Sequence, residues 1–140
     1  IRTVVFRGWS EAHSMLIYTD RRSEKINDLN NNKNVELLWL FQKSKSQYRL
    51  KGEASEIKDN INFWDNLSEN SKATWFWPHP GAKLSNKSAY DKPKRFDKPE
   101  TFTVLEVKIS YVEHLKLERP IHKRCCWIKS KGWKRIELNP

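Results

Sequence analysis

Apolar positions in this chain recur mostly with a period of two rather than three to four, so strands dominate the elements they predict. Residues 2–8, "RTVVFRG", read as a strand with β-branched Val4 and Val5 between charged ends. Residues 15–19, "MLIYT", predict a second strand, joined to the first by "GWSEAHS" in a hairpin-like connection. Ser23 then stands as a helix N-cap, with Glu24 in the first turn and Ile26 and Leu29 on one face. The asparagines of "NNNKN" favour a turn after it. "VELLWLF", residues 35–41, is apolar without alternation, the pattern of a strand buried on both faces. Residues 47–55 alternate, and pair with it across the polar turn "QKSKS".

Ile61, Trp64, Leu67 and Trp75 recur at near-helical spacing and predict one or two helices. Residues 78–100 carry Pro78, Pro80, Pro93 and Pro99 and no periodic core signal. A loop that long in a small domain is either mobile or functional. Four short strand candidates follow: "TFTVLEVKI", "VEHLKL", "CCWI" and "WKRIEL". About eight strands against two or three short helices, without βαβ alternation, predict a mainly β domain. The expected architecture is an antiparallel β-barrel or sandwich with flanking helices. Residues 1–140 read as a single domain without internal repeats, long enough to bury one core. The chain opens on Ile1 in mid-strand, so an N-terminal segment is expected to be missing.

Charge narrows the partners. Lys and Arg number 27 against 17 Asp and Glu, for a net +10, which favours an anionic partner: nucleic acid, a phosphorylated cofactor or acidic lipid. Solubility alone is the competing explanation. Mean hydropathy is −0.86 and no stretch is apolar enough to span a bilayer, so a cytoplasmic protein without a membrane partner is expected. The opening residues read as a strand and not as a signal peptide. Cys125 and Cys126 are adjacent and, on a strand, point to opposite faces, which disfavours a bridge or a shared metal. One buried thiol and one outward thiol are expected, in a reducing compartment.

The chemistry-bearing stretch is "IYTDRRSEK", where Arg21, Arg22 and Lys25 surround Ser23 as a strand gives way to a helix. A solvated, capped turn is one reading. An anion pocket is the other, because a helix start offers free N–H groups and Thr19 and Ser23 add hydroxyls. Arg2 and Arg7, five positions apart, cannot share a face of a regular strand. Of the seven tryptophans, Trp39, Trp64 and Trp133 read as core or sheet filling, whereas Trp75 and Trp77 beside "PHPG" suit a pocket wall. His79 and His122 are the histidines to weigh as acid, base or ligand; His13 falls in a turn and His114 in a strand. No histidine pair has metal spacing, so no metal is expected. With four glycines and no glycine-rich fingerprint, a phosphate site must rest on side chains and one helix end.

Taken in order, "RTVVFR", "IYTD", "RSEK", "SQYRLKGEA" and "HKRCCW…WKRIELNP" resemble the pyridoxamine phosphate oxidase-like proteins, FMN-binding split β-barrels. The likeness covers most of the chain and is weakest between Lys58 and Thr101. "WPHPG" resembles a flavin-binding branch distinct from the vitamin B6 enzyme. The resemblance implies FMN as cofactor and a homodimer with the flavin at the subunit interface. It places Arg2, Val4, Val5 and Arg7 on the first flavin-contacting strand, with Arg7 where a lysine is usual. Tyr18 and Thr19 match the family's Tyr-Thr pair, and Ser23, Glu24 and Lys25 match its phosphate-binding Ser-Arg-Lys. Gln47 and Arg124 match residues that reach the flavin.

Departures from the pattern are equally informative. Glu24 replaces the family's phosphate-binding arginine, so Arg21 or Arg22 is expected to compensate from the turn. The B6 enzyme's Tyr-Arg-Ser phosphate pocket is absent around Trp64 to Trp77, and its Arg-x-His motif survives only as Pro120-Ile121-His122, with Arg119 displaced by one. The resemblance therefore implies an FMN-dependent oxidoreductase acting on a small molecule other than pyridoxine phosphate. Trp77, His79, Arg119 and His122 are the expected substrate-side residues. A flavin-holding module without turnover and, less favoured, a basic nucleic-acid-binding β-barrel are the competing functions.

Overall fold

The computed structural model describes residues 1–10 and 13–140. Seven strands form one antiparallel sheet: β1 (Phe6–Trp9), β2 (Met15–Asp20), β3 (Asn34–Phe41), β4 (Ser46–Glu56), β5 (Phe102–Lys116), β6 (Lys123–Ile128) and β7 (Arg135–Leu138). Three short helices are interposed: α1 (Glu24–Asn31), α2 (Ile61–Asp65) and α3 (Glu69–Ala73). The main path runs β1-β2-β5-β4-β3, with β6 pairing β5 and β7 pairing β6. Along one side of β5, β4 pairs with residues 105–116. Along the other side, β2 takes residues 102–107 and β6 takes residues 111–116. The sheet therefore splits on that side, and β5 is the strand its two halves share.

Alternation on these strands builds two apolar layers. Met15, Ile17, Leu50, Ala54, Leu105 and Val107 pack on one face against Ile26 of α1. On the opposite face Leu16, Phe102 and Val104 lie under Trp64 of α2. Trp64 is 1% exposed, and its indole N–H donates to the Phe96 carbonyl at 2.9 Å. Part of the long 78–100 segment is thereby fastened to α2, and the Phe76–Phe96 ring contact adds to the attachment.

The mainly β barrel-like fold with flanking helices expected from the sequence is present, with five corrections. The first strand covers only Phe6–Trp9, because residues before it leave β2 and run beside α1, where Arg2 pairs with Asp28. "VELLWLF" is not buried on both faces: β3 is an edge strand paired only with β4, and Leu38 and Leu40 are each 59% exposed. "TFTVLEVKI" and "VEHLKL" are one 15-residue strand, β5, continued through a bulge rather than broken by a turn. Seven strands result instead of eight. Cys125 and Cys126 are both buried free thiols: β6 is an inner strand flanked by β5 and β7, so neither thiol lies on a free sheet edge. Trp133, expected as filling, is 42% exposed. The hairpin connection "GWSEAHS" includes Glu11 and Ala12, which lie outside the described residues.

Opposite the β5 bulge, Gly52 of β4 meets β5 so closely that an added Cβ would lie 2.2 Å from the Lys108 carbonyl oxygen. Backbone cannot yield there without opening the β4–β5 ladder. Gly52→Ala is expected to destabilise the fold by about 1–3 kcal/mol or more, read as a lowered urea midpoint. An unchanged midpoint would show that β4 and β5 approach less closely than this.

Candidate functional site

The residues singled out in the sequence gather at two places. The first is the end of β2 and the start of α1. Thr19 is buried there, and the Lys25 ammonium donates to Thr19 Oγ1 at 2.5 Å and to Ser23 Oγ at 3.0 Å. Ser23 occupies the N-cap position of α1, yet its hydroxyl turns back to donate to the Asp20 carbonyl at 2.7 Å. The helix start consequently has no side-chain cap; Ile26 N–H donates to the Ser23 carbonyl at 3.0 Å, and among the described residues no side chain accepts from the N–H groups of Glu24 and Lys25. Burial lowers the Lys25 pKa, the positive charge of Arg2 lowers it further, and Asp20 opposes both. Among the described residues Lys25 has no carboxylate in ion-pair contact. A partly buried ammonium, two hydroxyls and an uncapped helix start form a donor set that fits a phosphate.

The neighbouring cations are placed differently. Arg21 is paired with Glu56 at 3.1 Å. Arg22 forms an ion pair with Asp20 at 2.7 Å and donates to the Trp77 carbonyl at 3.0 Å, tying this turn to the segment that carries Trp77 and His79. Glu24 is exposed. The positive charge that acts on Lys25 is that of Arg2, with the Asp20 carboxylate opposing it.

Tyr18 and Thr19 point to opposite faces of β2, so only Thr19 sets its side chain beside Lys25. The Tyr18 ring packs edge-on to Phe63 and Phe102, with Arg7 above it at 5.6 Å. Burial raises the Tyr18 pKa against the lowering charge of Arg7. Arg7 reaches that ring because it is the extra residue of a bulge between Phe6 and Gly8, a device that re-aims a side chain. Val4 and Val5 precede β1 and are exposed. Trp77, stacked edge-on to Tyr90, and His79 line a cavity that also touches Asp20.

The second place is the far end of β5. Gln47, Leu115 and Arg124 are direct cross-strand neighbours on β4, β5 and β6, so Gln47 and Arg124 flank Leu115 on one face. Gln47 borders an open cavity of about 290 Å³ lined by Leu40, Leu115 and Leu117. Arg119 and His122 lie in the β5–β6 connection, where His122 Nδ1 contacts the Glu118 carbonyl at 3.0 Å. Thr19 pairs with Thr103 and Gln47 with Leu115, so twelve residues of β5 separate the two places. At strand rise that is roughly 40 Å of path along β5, beyond the reach of one mononucleotide.

Sequence reasoning missed the group that holds Arg124. Glu113 is 6% exposed and accepts from Arg124 at 3.0 Å and from the Tyr111 hydroxyl at 2.8 Å. Burial alone would raise its carboxyl, but hydrogen bonds from Arg124 and Tyr111, with the charges of Arg124 and Arg49, hold it below the ordinary range. Burial and then the Glu113 contact push Tyr111 up to about 12. The available signal was the alternation in "YVEHL", which sets Tyr111 and Glu113 on one face of a central strand. Among the described residues no cluster of His, Cys, Asp and Glu could hold a metal, and no helix is long and apolar enough to cross a membrane.

The chain and its fold are similar to known proteins. Residues 1–58 match the family described as "Pyridoxamine 5'-phosphate oxidase, FMN-binding domain". The chain is 28% identical over 104 residues to pyridoxine/pyridoxamine 5'-phosphate oxidase 2 of Arabidopsis thaliana, covering 66% of this chain and 52% of that protein. The chain thus spans about half the length of the curated relative it matches. A pyridoxamine 5'-phosphate oxidase-related, FMN binding protein of Nostoc punctiforme superposes with a TM-score of 0.87 at 24% identity, over 99% of this chain and 80% of that one. PhzG of Burkholderia lata, solved with tetrahydrophenazine-1-carboxylic acid, gives 0.84 at 16% identity, over 99% and 74%. These findings bear out the family resemblance, FMN as its cofactor, and the split-barrel fold.

The depressed carboxyl of Glu113 generates a pH prediction. A folded-state pKa below the unfolded value stabilises above the unfolded pKa, and that stability is lost as pH falls through the folded pKa. Glu113→Gln should therefore lower stability at neutral pH by roughly 1–3 kcal/mol, with the gap to wild type closing below about pH 4. Denaturant melts from pH 3 to pH 8 measure this. A gap independent of pH would remove the charged Arg124–Glu113 pair from the account.

Proposed function

We propose that this chain, a pyridoxamine 5'-phosphate oxidase-like protein with the FMN-binding split-barrel fold, is a homodimeric flavoprotein whose two FMN sites are each built from both subunits. The observation that carries the reading is the separation of the half-sites along β5. Lys25, Ser23, Thr19 and Arg2 form a phosphate pocket at one end. Gln47 and Arg124 stand at the other, on an exposed face bordered by Leu38 and Leu40. A second copy brings the Gln47–Arg124 face of one subunit over the Lys25 pocket of the other. The outward apolar residues of β3 suit that contact, since exposed apolar patches mark interfaces.

Bound FMN would supply two-electron oxidation or reduction of a small molecule, making the protein an oxidoreductase. The chain's own residues bind and orient. Lys25 and the open start of α1 neutralise the phosphate, and Glu113 keeps the Arg124 guanidinium from swinging into solvent. Trp77 and His79 from one subunit, and Arg119 and His122 from its partner, face the substrate. The oxidoreductase reading is tested by anaerobic reduction of the bound flavin across a panel of reductants. A flavin that none of them reduces would make the protein a flavin-holding module instead.

The shared site predicts complementation. Lys25→Ala should weaken FMN binding at least tenfold, since a charge-assisted phosphate contact is lost. Glu113→Leu with Arg124→Met removes the other half without leaving a buried charge unpaired. Neither variant should retain FMN at low concentration. After the two are mixed, unfolded and refolded together, random pairing restores an intact site in half the dimers, about a quarter of the wild-type flavin content. No recovery on mixing would place the whole site within one chain.

The lowered pKa of Lys25 predicts how affinity varies with pH. The ammonium loses its proton at a lower pH than an ordinary lysine, and the phosphate binds the charged form. FMN affinity should therefore fall as pH rises, beginning below the usual lysine pKa of about 10.4. Arg2→Gln removes a like charge and should move the fall to higher pH. Titrations of FMN fluorescence from pH 7 to pH 11 measure both, and a pH-independent affinity would exclude Lys25 as the phosphate ligand.

A further inference from the structure

A second cavity opens between the end of β1 and the β6–β7 turn, and none of the residues of either half-site lines it. It encloses about 550 Å³. Its floor is apolar, formed by Leu50, Ile109 and Val112, and its rim carries Trp9, Trp133, Lys108 and Lys129. An adjoining space of about 400 Å³ shares Trp9, Leu50 and Val112 and extends the aromatic wall to Trp39 and Tyr48. Volumes of this size are those of small-molecule sites.

Three features separate this rim from ordinary surface. Trp9 is 52% exposed and Trp133 42%, so two large aromatic side chains remain in water beside an apolar floor. Trp133 also has left-handed backbone, φ +57°, directly after Gly132 at φ +66°. A bulky residue is unfavourable in that conformation, and strain of this kind gathers at functional sites. The charge is one-sided as well. Among the described residues Lys129 has no ion-pair partner, Lys108 pairs only with Glu106, at 4.0 Å, and no carboxylate lines the cavity.

We propose that this cavity binds a planar aromatic carboxylate. Its ring stacks on Trp133 and Trp9 above the apolar floor, and its carboxylate meets the ammonium groups of Lys129 and Lys108. The site is separate from the flavin pocket and does not depend on the flavin reading.

The test is calorimetric titration of the protein, with FMN bound and with FMN removed, using naphthalene-2-carboxylate. Binding should be detectable in the micromolar range in both forms and should leave FMN in place. Naphthalene-2-methanol, which lacks the charge, and cyclohexanecarboxylate, which lacks the aromatic ring, should bind at least tenfold more weakly. Lys129→Gln and Trp133→Asn should each weaken binding about tenfold, asparagine being chosen because it tolerates left-handed backbone. Should Trp133→Asn fail to fold, Lys129→Gln at an exposed position carries the comparison. No binding of the naphthoate, equal binding of its neutral analogue, unchanged affinity in Lys129→Gln, or displacement of FMN would each overturn the proposal.

Discussion

The pairing of β5 with three other strands is the constraint on which the rest of this protein depends. A single 15-residue strand is bonded along one side to β4 and along the other first to β2 and then to β6. That arrangement leaves no strand able to carry all the proposed cofactor-contacting residues at one end. The β2 end holds the Lys25 pocket, and the β6 end holds Gln47 and Arg124. In the proposed reading a ligand that needs both finds them on two different chains, which would make dimerisation and cofactor binding one event.

Each half-site is also organised by a charge that the interior holds at some cost. Lys25 sits in a position where burial and Arg2 both disfavour its charged form. An incoming phosphate relieves that penalty, which gives the pocket a preference for dianions over neutral ligands. At the other end, Glu113 is buried and keeps its charge only through Arg124 and Tyr111. The guanidinium is therefore pre-positioned before any ligand arrives, and less ordering remains to be done on binding.

Much of this was legible in the sequence, for identifiable reasons. Strand periodicity gave the mainly β fold, and "IYTDRRSEK" pointed to the proposed anion pocket because strand, turn and helix start are all local features. The likeness of five ordered motifs carried the cofactor. What escaped depended on non-local pairing. "VELLWLF" looks like a central strand until the topology places it at an edge, where Leu38 and Leu40 face outward while Val35, Leu37 and Trp39 pack on the core. Arg21 and Arg22 look available until Glu56, Asp20 and the Trp77 carbonyl are seen to engage them, all but Asp20 distant in sequence. The two cysteines were misjudged because alternation predicts which way a side chain faces and not whether that face is buried. Glu113 was overlooked because a carboxylate in a strand normally marks a solvent face.

Native mass spectrometry of the FMN-saturated protein tests the shared site most directly. The account predicts a dimer carrying two FMN, with flavin lost in step with dissociation into monomers as the protein is diluted or activated in the gas phase. A monomer that retains FMN at wild-type affinity would contradict it.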